Sequence, residues 1–186
     1  MPTAATFRVM LTGKLVRLRA LEPSDAGALY RWNEDPAVLQ WMINEYPDSL
    51  AQLTKRLGEE RPRNTYDKLI LCIETLADRT PIGVVALTDA EPENGRAELD
   101  VYVGEAAYRN GGYGTDAIRV LCRYGFDQMR LHGITLWVVP ENEAARHVYK
   151  KLGFVEEGRE RERFRRDGRW YDLIIMSVLE GELVED

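Results

Sequence analysis

Residues 96–126 read RAELDVYVGEAAYRNGGYGTDAIRVLCRYGF, and the periodicity of this stretch changes halfway along it. The first part, Arg96–Val103, is a short strand-like run, whereas apolar residues from Ile118 onward repeat with a helical period. Between them lie three glycines, Gly111, Gly112 and Gly114. Without a Cβ, the backbone can approach a ligand and adopt positive φ. Because the first amides of a helix have no internal partner, the stretch predicts a strand, an anion-binding loop and a helix.

A flexible strand-to-helix turn is the competing interpretation of this glycine-rich loop. The loop lacks the Gly-Lys-Ser/Thr ending of a Walker A loop, and it lacks the Gly-x-Gly-x-x-Gly spacing of a dinucleotide site. It therefore predicts neither of those nucleotide sites.

A second informative segment is PENEAARHVYKKLGF, Pro140–Phe154. It follows an apolar run, Ile134–Val139, that reads as a buried strand, and Asn142 is placed to cap the helix after it. Right-handed crossovers bring the carboxyl ends of parallel strands together, so this segment and the glycine-rich loop should border one crevice. Tyr149 would lie near that crevice, although a lone tyrosine is more often a core residue.

Outside these segments the sequence predicts the order αα, βββ, α, β, α, ββ. A strand is expected at Lys14–Ala20, helices open at Pro23, Pro36 and Ser49, and a hairpin turns at Asp167 and Gly168. This order is typical of a single α/β domain with a mixed sheet of six to seven strands flanked by helices. We place the domain at residues 14–180, with an N-terminal extension at 1–13 and a C-terminal tail at 181–186.

Composition excludes several classes of protein. The 186 residues carry 25 basic and 31 acidic side chains, a net charge of −6, which argues against nucleic-acid binding. No apolar run reaches the roughly 20 residues that cross a bilayer, and polar residues interrupt any secretory signal before Gly13. Two distant cysteines, Cys72 and Cys122, are expected as buried free thiols, and two histidines make a metal site improbable. We expect a cytoplasmic enzyme or binding domain without membrane contact.

Two motifs in this sequence resemble those of the GCN5-related N-acetyltransferases. Arg109, Gly112 and Gly114 match that family's Arg/Gln-x-x-Gly-x-Gly/Ala pyrophosphate loop. Residues 142–154 are similar to its Asn-x-x-Ala-x-x-x-Tyr-x-x-x-Gly-Phe motif. The opening LVRLRALEPSDAGALYRW, residues 15–32, resembles the branch of ribosomal-protein alanine acetyltransferases and spermidine acetyltransferases.

The resemblance implies an acetyl-CoA site with assigned contacts. A bulge in the strand Glu98–Val103 would free backbone groups to pair with the pantetheine arm, and splaying of the two middle strands would open a slot for the thioester. Asn142 would hydrogen-bond the pantetheine, and Tyr149 would face the sulfur. The expected cofactor-binding residues are Val101, Tyr102, Val103, Arg109, Asn110, Gly111, Gly112, Tyr113, Gly114, Thr115 and Asn142.

The implied reaction is direct attack of a neutral amine on acetyl-CoA, without a metal. Tyr149 would protonate or hydrogen-bond the departing thiolate. An alkylamine with a pKa near 10.4 is mostly protonated at neutral pH, so a base is needed chiefly for lysine-like or polyamine acceptors. Glu98, which shares a strand face with Asp100, is one candidate base, and Glu45 is the other. Each acid alone is more often a solvated charge.

We expect the acceptor to be a primary amine on a cationic molecule. Four acids, Glu34, Asp35, Glu45 and Asp48, would lie near the acceptor slot, although surface helices are often simply acidic. A protein N-terminal amine is the favoured acceptor, a polyamine of the spermidine type or another small amine is the alternative, and an acyl-CoA-sensing module is the non-enzyme alternative.

The last hairpin raises two further questions. Its segment GRERERFRRDGR, residues 158–169, is expected to be a solvated hairpin with cross-strand ion pairs, or alternatively a contact for CoA phosphates or an acidic protein. Trp170 and Tyr171 beside it are candidates for a homodimer edge.

Overall fold

The computed structural model describes residues 11–42, 47–58 and 64–185. These residues form a seven-stranded sheet in the order β1-β2-β3-β4-β5-β7-β6. All neighbouring strands are antiparallel except β4 and β5, which run parallel at the centre. The expected α/β domain with a mixed sheet of six to seven strands is confirmed. The strands are β1 Val16–Ala20, β2 Lys68–Thr75, β3 Pro81–Glu91, β4 Arg96–Val103, β5 Gly133–Val138, β6 Val155–Arg166 and β7 Arg169–Leu179.

The helices begin where the local sequence predicts. Pro23 opens a 3₁₀ turn ahead of α1, Pro36 is the first residue of α2, and the Ser49 hydroxyl accepts a hydrogen bond from the Gln52 amide at the start of α3. Proline is tolerated there because those amides have no partner within the helix. The helices are α1 Ala26–Asn33, α2 Pro36–Leu39, α3 Leu50–Gly58, α4 Tyr113–Asp127 and α5 Glu143–Lys151.

Each face of the sheet carries its own apolar layer. On one face, alternate residues such as Leu99 and Ile134 pack against α4 and α5 in the larger core. On the other face, Cys72 and Val84 pack against α1, α2 and α3. Cys72 and Cys122 are both buried and unoxidised, as expected. Helix α4, which follows the glycine-rich loop, thus lies on one face of the sheet, and α1, α2 and α3 lie on the other face.

The central strands β4 and β5 separate after a short paired region. Backbone pairing joins Arg96–Glu98 to Gly133–Thr135 and does not continue beyond those residues, although both strands do. The splayed strands that the sequence analysis expects are therefore present. They leave a slot between the carboxyl-terminal halves of β4 and β5, directly before the glycine-rich loop.

The bulge expected in β4 is not there. From Glu98 to Val103, β4 keeps a one-to-one register with β3, and the extra residue lies in β3, between Thr88 and Glu91. Asp89 in that bulge has φ of 50°. The slot is opened by the divergence of β5 from β4, so our expectation of a β4 bulge was wrong.

Chain segments outside the predicted boundaries also contact the domain. Leu11 packs against the larger core and its carbonyl accepts a hydrogen bond from the Leu18 amide. At the other end, the Val184 amide donates to the Leu152 carbonyl. The boundaries at residues 14 and 180 stay predictions. Among the described helices, none has the length and apolar composition needed to cross a bilayer.

Candidate active site

The glycine-rich loop connects β4 to α4 and presents unpartnered amides. Asn110 and Gly112 have φ of 62° and 85°, so the chain turns sharply before α4 begins at Tyr113. Within the described ranges, no acceptor is hydrogen-bonded to the backbone amides of residues 110–115. Amides at a helix N-terminus carry partial positive charge and bind anions. The loop therefore fits a phosphate or pyrophosphate group. Of the expected contacts, Asn110, Gly111 and Gly112 lie on the loop, and Tyr113, Gly114 and Thr115 lie in the first turn of α4.

The structure explains why glycine occupies positions 112 and 114. Gly112 occupies the left-handed region at the N-cap of α4, where a side chain is strained. A Cβ at Gly114 would lie 3.5 Å from a methyl group of Val103, so the first turn of α4 rests on the end of β4. The loop amides are thereby fixed beside the slot between β4 and β5.

Arg109 points back into the protein. Its Nε donates to the Val103 carbonyl at 3.0 Å, and its Nη2 donates to the Gly104 carbonyl at 2.7 Å and to Asp35 at 2.9 Å. These groups hold the guanidinium against the end of β4. A direct contact between the Arg109 side chain and a cofactor phosphate stays a prediction.

Tyr149 lies at the buried side of the slot. Only 9% of the residue is exposed, and its ring is 5.8 Å from the ring of Phe154, centroid to centroid. Burial, together with the nearby Asp100 charge, raises the pKa of Tyr149 to about 12. Its hydroxyl has no hydrogen-bond partner among the residues that the structure describes. Tyr149 thus packs in the larger core beside the slot, and its hydroxyl keeps its proton throughout the neutral range.

Three carboxylates lie near the closed end of the slot, where the pairing of β4 with β5 stops. Glu98 and Asp100 share one face of β4, and Asp89 lies on the neighbouring β3 bulge. Burial raises the pKa of Glu98, and the charges of Asp100 and Asp89 raise it further, while the Trp137 indole lowers it. Desolvation also raises the pKa of Asp100, followed by the Asp89 charge. Asp100 is exposed to solvent, whereas Glu98 two residues earlier is half-buried.

The remaining residues predicted to bind the cofactor lie on both sides of the slot. Val101, Tyr102 and Val103 are half-buried on β4, beyond its last pair with β5. Asn142 caps α5 through its Oδ1, which accepts from the Ala145 amide at 3.3 Å. The predicted cap is therefore present, and the Asn142 amide nitrogen is the group left for a ligand.

Two of the four acids expected around the acceptor form ion pairs with arginines. Asp35 pairs with Arg109, and Asp48 pairs with Arg56 at 2.5 Å. Glu34 is exposed. Glu45, the second candidate base, lies outside the described residues.

Two residues of the site escaped sequence reasoning, Asp89 and Trp137. Trp137 alternates along β5 with the buried Leu136 and Val138, so the period of two could have placed its ring on the face of Glu98. Asp89 gave no such signal, because its position depends on the bulge.

The arginine-rich hairpin has intramolecular partners. Arg159 pairs with Asp172 at 2.6 Å, Arg163 with Glu160 at 2.9 Å and Arg169 with Glu141 at 3.1 Å. Of these three pairs only Arg159–Asp172 joins the two strands of the hairpin, so the expected cross-strand ion pairing is present at one position. Trp170 at its end is 53% exposed, and its role in a homodimer stays a prediction.

The site combines an amide-lined anion loop with a slot that ends between a tyrosine and carboxylates. Within the described ranges, no group of three or more His, Cys, Asp or Glu side chains could hold a metal ion. This arrangement fits a phosphorylated cosubstrate whose reactive end would lie between the two parallel strands.

Comparison with known proteins shows the family. Residues 16–155 match the Acetyltransferase (GNAT) domain, so the chain belongs to the GNAT acetyltransferases, N-acetyltransferases that use acetyl-CoA. The spermidine N(1)-acetyltransferase of Escherichia coli K12 is 25% identical over 92% of this chain and 89% of its own. A putative ribosomal N-acetyltransferase of Bacillus subtilis is 26% identical over 90% and 92%. The spermidine N-acetyltransferase of Vibrio cholerae, solved with CoA and spermine, superimposes with a TM-score of 0.78 at 27% identity over 90% and 96%.

Proposed function

We propose that this acetyltransferase acts on a polyamine-like acceptor, a small molecule with a reacting primary amine and at least one further ammonium group. The observation that carries this proposal is a group of three carboxylates beside the slot, with Glu98 and Asp100 on one face of β4 and Asp89 on the adjacent β3 bulge. Carboxylates attract and orient ammonium groups. Similarity to spermidine acetyltransferases supports the polyamine acceptor more strongly than the protein N-terminal amine that the sequence analysis favours.

The loop and the slot bind the cosubstrate. Acetyl-CoA supplies a thioester whose carbonyl carbon accepts the amine. The amides of residues 110–115 bind its anionic groups, while backbone of Val101 to Val103 and the Asn142 amide line the path to the reaction centre. These contacts fix the thioester without requiring a charged side chain.

The acceptor amine must lose its proton before it attacks. At pH 7.4 about one alkylamine in a thousand is neutral, which costs roughly 4 kcal/mol if no base assists. Glu98 takes this proton, directly or through water. Its raised pKa makes it a stronger base than an ordinary carboxylate. Asp100 and Asp89 hold the second ammonium group, and they also contribute to that raised pKa.

Tyr149 stabilises the leaving thiolate by donating a hydrogen bond. A thiol has a pKa of about 8.5, and Tyr149 has one of about 12, so complete proton transfer from Tyr149 would cost about 5 kcal/mol. A hydrogen bond avoids that cost, because the proton stays on the phenol. As the amide forms, the attacking nitrogen releases its second proton to solvent, and the thiolate leaves as an anion that takes a proton from solvent.

An acceptor panel tests the proposal. We would measure CoA thiol release with spermidine, with butylamine, and with short peptides that begin in alanine or serine. Spermidine should exceed both other classes in kcat/KM by at least about ten-fold, since a second ammonium group paired with carboxylates contributes about 1.4 kcal/mol or more. Peptides that match or exceed spermidine would contradict the polyamine acceptor.

Butylamine is the matched control, because it keeps the reacting alkylamine and lacks the second charge. An Asp100→Asn variant should narrow the difference between spermidine and butylamine, because spermidine loses a partner for its second ammonium group, whereas butylamine loses only the contribution of Asp100 to the raised pKa of Glu98. Acetyl-CoA binding without thiol release from any amine would instead support an acyl-CoA-sensing role.

A further inference from the structure

Arg109 joins the cofactor side of the molecule to the acceptor side. Its guanidinium binds the carbonyls of Val103 and Gly104, the last residue of β4 and the residue that follows it. The same Nη2 reaches Asp35, which lies between α1 and α2 and is 74 positions away in sequence. One side chain therefore connects the start of the anion loop to the helical layer on the opposite face.

Asp35 is held in place from both of its oxygens. Its Oδ1 accepts from the Ala37 amide at 2.9 Å and caps α2, while Oδ2 accepts from Arg109. The Arg109 hydrogen bond lowers the pKa of Asp35, followed by the Ala37 amide, so the carboxylate is ionised at neutral pH. The ion pair is half-buried, with 27% of the Arg109 side chain and 35% of the Asp35 side chain exposed.

A second contact fixes the same two segments. Glu105 accepts hydrogen bonds from the Trp32 indole at 3.0 Å and from Arg31 at 3.1 Å. Gly104 lies so close to Trp32 that a Cβ there would be 2.3 Å from the indole ring. The segment between α1 and α2 thus packs against residues 104 and 105, which follow β4. Asp35 is the residue of that segment that contacts Arg109.

We propose that Asp35 is a positioning residue for acetyl-CoA binding, acting through Arg109 to hold the end of β4 and the loop amides that follow it. Arg109 then serves the cofactor through carbonyls of its own chain rather than by touching a phosphate. Helix α2 on the acceptor face is thereby part of what shapes the anion loop.

An Asp35→Asn substitution separates this role from a direct phosphate contact. Asparagine keeps an oxygen for the Ala37 amide, so the cap survives, but it turns an NH₂ group toward Arg109. If Asp35 positions the loop, the Kd of acetyl-CoA measured by calorimetry should rise about three- to ten-fold, from the loss of a half-exposed charged contact. If Arg109 binds phosphate directly, the substitution releases the guanidinium and the Kd should stay equal or fall, which would overturn the proposal.

Further variants complete the test. Arg109→Gln should raise the acetyl-CoA Kd to a similar extent, and the double variant should be no worse than either single one, because both changes break one link. Additive effects on the Kd, or unchanged binding in both single variants, would refute the proposal.

Arg31→Gln is the matched control, since it breaks the neighbouring ion pair with Glu105 while the Trp32 hydrogen bond to Glu105 remains. It should leave the Kd unchanged, whereas a rise equal to that of Asp35→Asn would show a general loss of packing and overturn a specific role.

The effect should appear in the KM for acetyl-CoA and leave kcat nearly unchanged, because neither residue contacts the reacting atoms. Asp35→Glu keeps the carboxylate and should restore most of the binding. Failure of that rescue, with a folded protein by circular dichroism, would count against a charge-dependent link.

Discussion

Replacing Gly112 by glutamate tests the anion loop most directly. At φ of 85° any L-residue is strained, and this backbone conformation costs about 1–2 kcal/mol. The new Cβ itself has room, since its nearest neighbour would be a Leu15 methyl group at 3.5 Å. A negative charge at a helix N-terminus is favourable for the helix. Gly112→Glu should therefore fold, with a modest loss of stability that comes from the backbone alone.

The loss of cosubstrate binding should be much larger than the loss of stability. A glutamate carboxylate about 6 Å from one bound phosphate charge costs about 3 kcal/mol at an effective dielectric constant near 20, or about a hundred-fold in Kd. Gly112→Ala is the matched control, because it carries the same backbone strain without the charge, and it should weaken binding only a few-fold.

Calorimetric titration with acetyl-CoA and thermal unfolding of both variants give the answer. Because Gly111 and Gly112 are exposed, the difference between the glutamate and alanine variants should shrink as salt is raised. If the two variants bind acetyl-CoA within about three-fold of each other at low salt, the loop amides are not the anion site.

Tyr149→Phe keeps the buried ring and removes the hydroxyl, so kcat should fall about ten- to a thousand-fold while the acetyl-CoA Kd changes little. Unchanged turnover with lower stability would identify Tyr149 as a core residue only. Glu98→Gln should remove the acidic limb of the pH profile for spermidine, which stopped-flow thiol detection over pH 5–9 would show. Because folding raises the pKa of Glu98, its ionised form opposes folding above its unfolded-state pKa. The melting temperature of Glu98→Gln should therefore exceed that of the parent at pH 7 and match it near pH 4, and equal melting temperatures at pH 7 would contradict the raised pKa.

Local features of the fold could be predicted because they depend on neighbouring residues. The cap at Asn142 needs only an amide three positions ahead. The turn at Asp167 and Gly168 needs two residues that tolerate positive φ, and they adopt 48° and 78° between the paired Arg166 and Arg169. The order of helices and strands followed from such signals, and with it the α/β domain.

Contacts between distant segments were predictable only through the family resemblance, or not at all. The divergence of β4 from β5 depends on packing in both layers, and no residue within either strand encodes where pairing stops. The bulge was expected in β4 and occurs in β3. A bulge in either strand is compatible with the same sheet, since the two arrangements differ only in which strand carries the extra residue. Arg109 matched a family motif, but its partner Asp35 had no sequence signal, since an acid before a proline is first of all a helix cap.

The length of β4 keeps like charges apart. From Glu98 to Val103 the strand advances about 17 Å, at about 3.4 Å per residue, and the anion loop lies beyond its end. This is about twice the screening length of about 8 Å at physiological ionic strength. A bound pyrophosphate at the loop therefore adds little to the pKa of Glu98, which is set by burial and by Asp100 and Asp89. In the proposed binding mode, uncharged amides hold the anion and carboxylates hold the ammonium group, so that neither charge opposes the other within one slot.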